Sequence, residues 1–115
     1  MARQVRWSEP AREDLFQAAS YIARDSVHYA EALLAAASDA GRSLAVFPER
    51  GRRVVQIADA QVREVFVQSY RLICEVQGDT VDELAFVHAA RDLAAWWARE
   101  QAERKGDLPK VEKTE

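Results

Sequence analysis

The stretch that decides the fold is residues 62–87, which read VREVFVQSYRLICEVQGDTVDELAFV. We interpret the apolar residues beyond Gly51 as having a period of two rather than a helical period, which predicts a strand over Val62–Val67. Two more strands follow over 71–76 and 81–87, separated by a hairpin turn in which Gly78 can adopt a positive φ. Because short connections join neighbouring strands in opposite directions, this stretch predicts an antiparallel meander.

The segments outside the meander predict two more short strands and three helices. Ser8 and Ser26 each precede a run of apolar residues at helical spacing, where a serine hydroxyl serves as an N-cap. The predicted strands are Gln4–Trp7 and Val54–Ile57, and the predicted helices are residues 9–24, the segment between Ser26 and Phe47, and Asp92 to about Arg104.

Together these elements predict an α+β fold with an N-terminal strand, an antiparallel helix hairpin packed on a curved antiparallel β-sheet, and a C-terminal helix. We expect one domain over residues 1–105 and a charged, flexible tail over 106–115. The helix hairpin should cover one face of the sheet and leave the other partly open. On that open face we expect Arg63, Arg71 and the end of the last strand to converge.

Composition excludes several classes of protein. A chain of 115 residues has room for a single domain, and its net charge of −3 argues against a generic nucleic-acid coat. One cysteine, Cys74, and two distant histidines, His28 and His88, leave no disulfide framework and no multi-thiolate metal site, so we expect neither metal nor cofactor. Without a membrane-spanning apolar run or a signal peptide, the sequence predicts a soluble, cytoplasmic protein with no membrane partner.

Arginine is concentrated where the sheet begins. Thirteen of the sixteen cationic residues are Arg, and five of them lie between Arg50 and Arg71, against the two acids Asp59 and Glu64. Arginine forms bidentate contacts with carboxylates and phosphates. Arg71 should lie in a central strand, where a buried charge needs a partner, so it either pairs with a carboxylate such as Glu64 or Glu75 or contacts a ligand.

His88, Trp96, Trp97 and Cys74 are the remaining residues whose chemistry could serve either function or structure. His88 ends the last strand, where it is a general base near neutral pH or a hydrogen-bonded structural residue. Of Trp96 and Trp97 on the final helix, only one is expected to face the sheet, which leaves the other as an interface anchor. Cys74 lies among apolar residues in a strand and is expected to be an inert core thiol.

Taken together, the motifs resemble the RelE/ParE family of toxins from bacterial type II toxin–antitoxin systems. The resemblance covers about residues 3 to 95 in the family's order and implies the same fold. It also implies a toxin that inhibits growth, takes part in plasmid stabilisation and is neutralised by a cognate antitoxin encoded beside it. The segments that carry the resemblance are Val5–Ala11, Asp14-Leu15, Tyr21–Ala23, Phe47–Arg52, Arg63-Glu64, Tyr70–Ile73 and His88–Leu93.

The family divides by target. RelE-like members cut mRNA in the ribosome, and this branch implies Arg71, His88 and Arg91 as the catalytic residues. The sheet lysines of that branch have no counterpart here, because all three lysines lie in the last eleven residues. Trp97 stands about where a catalytic Tyr would be, and an indole cannot carry the proton.

ParE-like members instead inhibit DNA gyrase and need no hydrolytic centre, and the sequence favours this branch. Ribosome-dependent mRNA cleavage is the alternative, and a non-toxic module retained for binding its antitoxin is a second one. The ParE interpretation implies no catalytic residue. The candidates for target contact are Arg50, Arg52, Arg53, Arg63, Arg71 and Arg91, and those for the antitoxin interface are Tyr21, Trp96 and Trp97.

Overall fold

The computed structural model describes residues 3–104 and contains three α-helices and a five-stranded sheet in that range. The strands lie in the order β1-β5-β4-β3-β2. The predicted tail over 106–115 lies outside the described residues. The elements are β1 (Gln4–Trp7), α1 (Glu9–Ala23), α2 (Val27–Val46), a 3₁₀ turn (Pro48–Arg50), β2 (Arg52–Arg53), β3 (Val62–Val67), β4 (Tyr70–Gln77), β5 (Thr80–His88) and α3 (Leu93–Arg104).

Each helix begins at a side chain that accepts a hydrogen bond from the backbone three residues further on. The predicted caps are confirmed: the Ser8 and Ser26 hydroxyls each accept from such an N–H at 3.1 Å. The Asp92 carboxylate does the same at the start of α3, also at 3.1 Å. These bonds satisfy backbone donors that have no partner within the helix.

The sheet is mixed. Strands β3, β4 and β5 form the predicted antiparallel meander, and Gly78 has a φ of 53° in the turn between the last two. Strand β1, however, pairs with β5 in parallel. The expectation of a fully antiparallel sheet is wrong at this edge because β1 reaches the sheet through the helix hairpin, and only a short turn forces neighbouring strands to be antiparallel.

The predicted strand at Val54–Ile57 is a turn, and the strand in this region is limited to β2. The Ile57 N–H donates to the Val54 carbonyl at 3.0 Å. Val54 and Ile57 are both buried, whereas Val55 is 92% exposed. Burial at positions three apart fits a turn, because a strand would bury every second side chain. The apolar residues at 54, 55 and 57 do not by themselves distinguish a strand from a turn.

The two faces of the sheet have separate cores, and we name each face by the helices on it. On the hairpin face, α1 and α2 cover the meander, and on the α3 face the Val54–Ile57 turn and α3 cover part of it. The hairpin-face core is Ala18, Leu33, Ala37, Leu44, Val67, Leu72, Cys74, Val81 and Phe86. The α3-face core is Val54, Ile57, Val62, Ile73, Ala85, Val87 and Leu93.

Trp96 and Trp97 both pack against the α3-face core, with ring centroids 5.8 Å apart. The expectation that only one indole faces the sheet is therefore wrong. The rings are tilted by 40° to each other, which lets two adjacent helix positions reach the same surface. Among the described residues, no helix has the length and apolar character needed to cross a membrane.

Candidate functional site

The α3 face carries a buried carboxylate held between two arginines. Glu64 on β3 is 2% exposed. Its Oε1 accepts from Arg71 Nη1 at 3.1 Å, and its Oε2 accepts from Arg52 Nε at 2.9 Å. Both carboxylate oxygens thus have a charged donor, the arrangement that makes a buried charge tolerable.

Arg71 also donates to the backbone, so that three of its five N–H groups have partners within the protein. Its Nε and Nη2 both donate to the Ala89 carbonyl just beyond β5, the first at 3.0 Å. The side chain is 13% exposed. The Arg71–Glu64 ion pair, one of the two interpretations open from the sequence, is therefore present, and it joins β3, β4 and the loop after β5.

An exposed aromatic ring lies beside these arginines. Phe66 is 47% exposed, and the guanidinium carbons of Arg52 and Arg71 lie 4.7 and 5.6 Å from its ring centroid. At these distances the cations interact with the ring face. We call Arg52, Glu64, Phe66 and Arg71 the Arg–Phe cluster. Since its carboxylate is committed to two guanidiniums, the cluster presents a cationic and aromatic surface rather than an acid–base pair.

Arg63 lies on the other side of the sheet, so the predicted convergence with Arg71 is wrong. Its Nη1 donates to the Gly51 carbonyl at 3.0 Å and its Nε to the Ala60 carbonyl at 3.2 Å. Successive side chains of a strand alternate between faces. Glu64 meets Arg71 on the α3 face, so its neighbour Arg63 must face the hairpin.

His88 also lies on the hairpin face, away from the Arg71 side chain. It pairs with Tyr70 across β4 and β5, and the two rings pack edge to face at 5.6 Å. Its Nδ1 accepts from the Ala90 N–H at 3.2 Å. The sheet thus separates His88 from Arg71, and the end of the last strand contributes only the Ala89 carbonyl to the Arg–Phe cluster.

The charge of Arg91 acts on Asp14 of α1. Asp14 on α1 accepts from the Phe86 N–H at 3.1 Å. Burial raises the pKa of Asp14, although the Phe86 hydrogen bond and the charge of Arg91 act against it. The three residues implied for a ribonuclease, Arg71, His88 and Arg91, are therefore not assembled around one point.

The remaining predicted contact residues are exposed around the short strand β2. Arg53 follows Arg52 on β2, and both are exposed. Arg50 ends the 3₁₀ turn and lines a groove of about 390 Å³ between α2 and β3, which Phe66 also lines. Of the predicted interface residues, Tyr21 is 67% exposed on α1.

The sequence interpretation missed Glu83. This β5 side chain is fully buried, and neither carboxylate oxygen has a hydrogen-bond partner within residues 3–104. Burial, and to a lesser extent the charge of Asp82, raises the pKa of Glu83 to about 8. The adjacent acids Asp82 and Glu83 in a predicted strand could have indicated a buried carboxyl. Adjacent side chains of a strand point to opposite faces of the sheet, so one of the two must face the core.

Glu83 lies beneath α2 where the helix has a glycine. A Cβ built on Gly41 would lie 3.5 Å from Glu83 Oε2 and 3.4 Å from the Trp7 indole. Burial and the nearby Glu83 carboxyl raise the pKa of the Cys74 thiol, which suits the inert role predicted for it. Across residues 3–104, no group of three His, Cys, Asp or Glu side chains is placed to hold a metal ion.

Comparison with solved structures shows the same fold in two toxin–antitoxin systems. One is the chromosomal ParDE system from P. aeruginosa, with a TM-score of 0.62, 14% identity, and coverage of 76% of this chain and 96% of that one. The other is the RelBE2 toxin–antitoxin complex from Mycobacterium tuberculosis, with a TM-score of 0.51, 22% identity, and coverage of 76% and 99%. No curated protein matches this sequence.

The sequence itself identifies the family. The family model described as the ParE toxin of the type II toxin–antitoxin system parDE matches residues 5–93, from β1 to the start of α3. That range includes all of the sheet except Gln4, the helix hairpin and the Arg–Phe cluster. This chain therefore belongs to the ParE family of type II toxin–antitoxin toxins.

Proposed function

We propose that this protein is a cytoplasmic toxin that inhibits DNA gyrase by binding to it and is neutralised by a cognate antitoxin. The observation that carries the proposal is the separation of Arg71 from His88 by the sheet. A gyrase inhibitor needs a contact surface, whereas a ribonuclease needs proton carriers and cations around one phosphate.

Cleavage of a phosphodiester requires a base for the 2′-hydroxyl, an acid for the leaving oxygen and cations for the developing charge. Arg71 is largely buried, and three of its five N–H donors bond to Glu64 and to the Ala89 carbonyl. His88 packs against Tyr70 on the opposite face. Hydrolysis at this site would need both residues to leave their present partners, which supports a binding role instead.

The exposed parts of the Arg–Phe cluster and its surroundings have the composition of an interaction surface. Arginine and aromatic residues are enriched among the residues that dominate binding energy at protein interfaces. Arg52 is 65% exposed and lies over the half-exposed Phe66. We therefore assign gyrase contact to Arg50, Arg52, Arg53 and Phe66. Arg71 then acts by holding Glu64, and Arg63 lies away from this surface.

The antitoxin is the expected second partner, as in the two toxin–antitoxin systems of the same fold. The helix hairpin exposes three large aromatic side chains, Phe16, Tyr21 and Tyr29, each about two-thirds accessible. Apolar area of this kind is commonly buried by a partner. Tyr21 keeps its proposed interface role, while Trp96 and Trp97 offer only the part of each ring that the α3-face core leaves open.

The test is supercoiling of relaxed plasmid by DNA gyrase while the purified protein is titrated into the reaction. We expect supercoiling to be lost and cleaved DNA to be trapped. Phe66→Ala should weaken the inhibition, whereas Phe16→Ala, which truncates an exposed ring on the hairpin, should leave it unchanged.

Unchanged supercoiling at a micromolar excess of folded protein would refute gyrase inhibition. In that case mRNA cleavage on ribosomes becomes the measurement, with His88→Ala and Arg91→Ala as the variants. Cleavage that both variants abolish would establish the ribonuclease. Unhindered growth on expression of folded protein without antitoxin would instead establish the non-toxic binding module.

A further inference from the structure

A cavity of about 230 Å³ opens on the hairpin face, beside the last residues of β4. It lies where α2 has ended, and its apolar walls are Pro48 of the 3₁₀ turn and Val76 of β4. Its polar walls are Arg3, Glu49 and Arg63. No residue of the Arg–Phe cluster lines it. The cavity is therefore a different feature from that cluster, and the proposed function gives it no role.

Arg63 is held in a fixed position at this cavity. Its Nε donates to the Ala60 carbonyl at 3.2 Å and its Nη1 to the Gly51 carbonyl at 3.0 Å. Neither bond uses Nη2. Because the guanidinium is planar, fixing two of its nitrogens also fixes the third. The half-buried Arg63 side chain thus presents a pre-oriented cationic donor to an occupant of the cavity.

The position of Arg63 explains the glycine at residue 51. Gly51 has a φ of −79° and a ψ of 128°, an extended conformation that residues with side chains also adopt. A Cβ built there would lie 2.9 Å from the Cβ of Arg63, well inside the optimal separation of two carbon atoms. The close approach of Arg63, and not the backbone conformation, requires the glycine.

Three arginines gather around the cavity without a carboxylate partner. Arg3 donates from its Nε to the Gly78 carbonyl at 2.9 Å. Arg53 lies directly opposite Arg63 in the pairing of β2 with β3. Side chains at opposed positions share a face of the sheet, and like charges there repel each other. None of the three arginines forms an ion pair with a side chain in residues 3–104.

The charge around the cavity suits a dianion. Glu49 is the acid on the wall, and it is exposed and forms no ion pair with the described side chains. Three guanidiniums and one carboxylate leave two positive charges uncompensated. A phosphate monoester carries about −1.5 to −2 at neutral pH, and arginine binds phosphate through parallel N–H···O bonds. A carboxylate or a phosphodiester supplies a single charge.

The size of the cavity limits the rest of the ligand. Pockets for drug-sized molecules have roughly 300–1,000 Å³, and this cavity is smaller, at about 230 Å³. It admits a phosphate group with a few carbon atoms, which Pro48 and Val76 can contact.

We propose that this cavity binds the phosphate group of a small phosphate monoester. Arg63 Nη2 and the guanidinium of Arg3 donate to the phosphate oxygens, and Arg53 adds its charge from the neighbouring strand. The apolar walls contact the carbon atoms of the ester. The inference does not depend on which molecule the toxin inhibits.

The test compares methyl phosphate with dimethyl phosphate, which has the same chemistry and one charge fewer. Each is titrated into the isotopically labelled full-length protein and followed by NMR at constant ionic strength, at about pH 7.5, where the monoester is a dianion. We expect methyl phosphate to shift the signals of Gly51, Arg63 and Val76 with a Kd of about 1 mM or tighter. Dimethyl phosphate should bind about tenfold more weakly.

Two results of this comparison would overturn the proposal. Shifts by methyl phosphate that do not saturate, or that are confined to other surfaces, would show that the cavity is not a site. Dimethyl phosphate that binds as tightly as methyl phosphate would show that the site takes a singly charged phosphodiester, as in a nucleic-acid backbone, and not a monoester.

Variants test the two signs of charge in opposite directions. Arg63→Gln should weaken the binding of methyl phosphate about tenfold, and Glu49→Gln should strengthen it about threefold. Arg99→Gln, at an exposed position on α3, should leave the Kd unchanged. If Arg63→Gln does not fold, Arg3→Gln takes its place, since it removes only the bond to Gly78. A Kd that Glu49→Gln does not lower, or that Arg99→Gln raises as much as the cavity variant, would overturn the proposal.

Discussion

Two glutamates of the same sheet are buried in opposite ways. Glu64 on β3 is 2% exposed and holds Arg52 and Arg71, one on each oxygen. Glu83 on β5 is fully buried and has no hydrogen-bond partner within the described residues. A buried carboxyl either recruits cations or stays protonated. The ion pairs of Glu64 position the Arg52 and Arg71 side chains. The protonation of Glu83 makes the stability of the protein depend on pH.

Protonation explains how Glu83 is accommodated. Burial raises its pKa to about 8, so the carboxyl is mostly neutral in the folded protein at neutral pH. A neutral carboxyl costs far less to bury than a carboxylate. Glu64 avoids that cost differently, because its two guanidinium partners stabilise the charged form.

The largest expected effect is the pH dependence that Glu83 imposes on unfolding. Its pKa is 4.5 without the fold and about 8 in the folded protein. Between these values only the unfolded chain loses the proton, so the free energy of unfolding falls as pH rises, by up to about 5 kcal/mol. Below this window both states are protonated, and above it both are ionised, so the dependence disappears.

Glu83→Gln should remove that slope and raise the stability above neutral pH, because the amide cannot ionise. Urea unfolding of both proteins from pH 5 to about pH 9 measures it. Glu31→Gln, an exposed position on α2, serves as the matched control and should retain the slope. Parallel curves for wild type and Glu83→Gln would show that Glu83 is not the titrating group.

The next largest effect concerns the arginine that neutralises Glu64. Arg71→Met should destabilise the protein by about 3 kcal/mol, because it removes a cation from a buried carboxylate and two donors from the Ala89 carbonyl. Urea unfolding at neutral pH measures the loss. The double variant Glu64→Leu with Arg71→Met should be less destabilised than Arg71→Met alone. A double variant that loses the sum of both single effects would show that the pair is not coupled.

Arg52 should matter much less for stability than Arg71, although both hold the same carboxylate. Arg52 is 65% exposed, and exposed ion pairs contribute less than about 1 kcal/mol. Arg52→Ala should therefore change unfolding by less than about 1 kcal/mol while weakening gyrase inhibition, measured on the same preparation. A loss of stability as large as that of Arg71→Met would contradict the division between a structural and a contact arginine.

The sequence predicted the fold more accurately than it predicted the faces of the sheet. The helices, their caps and the meander follow from local signals, such as the period of apolar residues and the position of Ser8 and Ser26. The parallel pairing of β1 and the turn at Val54–Ile57 depend on tertiary contacts. The local period of apolar residues does not predict such contacts. One further signal was present but unused: the two-residue turn after Val67 places Arg63 and Arg71 on opposite faces.

Glu83 could not be placed on a face from the sequence. Ile73 pairs with Ala85 and Cys74 with Glu83, which leaves Leu84 as an extra residue in β5. This bulge reverses the alternation and turns Glu83 towards α2 while Ala85 faces the α3 side. The Glu64–Arg71 pair, in contrast, was one of the two alternatives predicted from the sequence. A buried cation in a central strand needs a partner, and the other alternative was a ligand.

The smallest effect tests the space above Glu83. In Gly41→Ala the new methyl would lie 3.4 Å from the Trp7 indole and 3.5 Å from Glu83 Oε2, which is close to ordinary van der Waals contact. Alanine is favoured over glycine inside a helix, so we expect a gain of about 0.5–1 kcal/mol in urea unfolding below pH 6. Gly78→Ala, where φ is 53°, should instead be destabilising.

The gain from Gly41→Ala should shrink as pH approaches 8, because a methyl group over Glu83 further hinders access of water to the carboxylate as it ionises. A gain that is the same at every pH would show that α2 does not control the environment of Glu83.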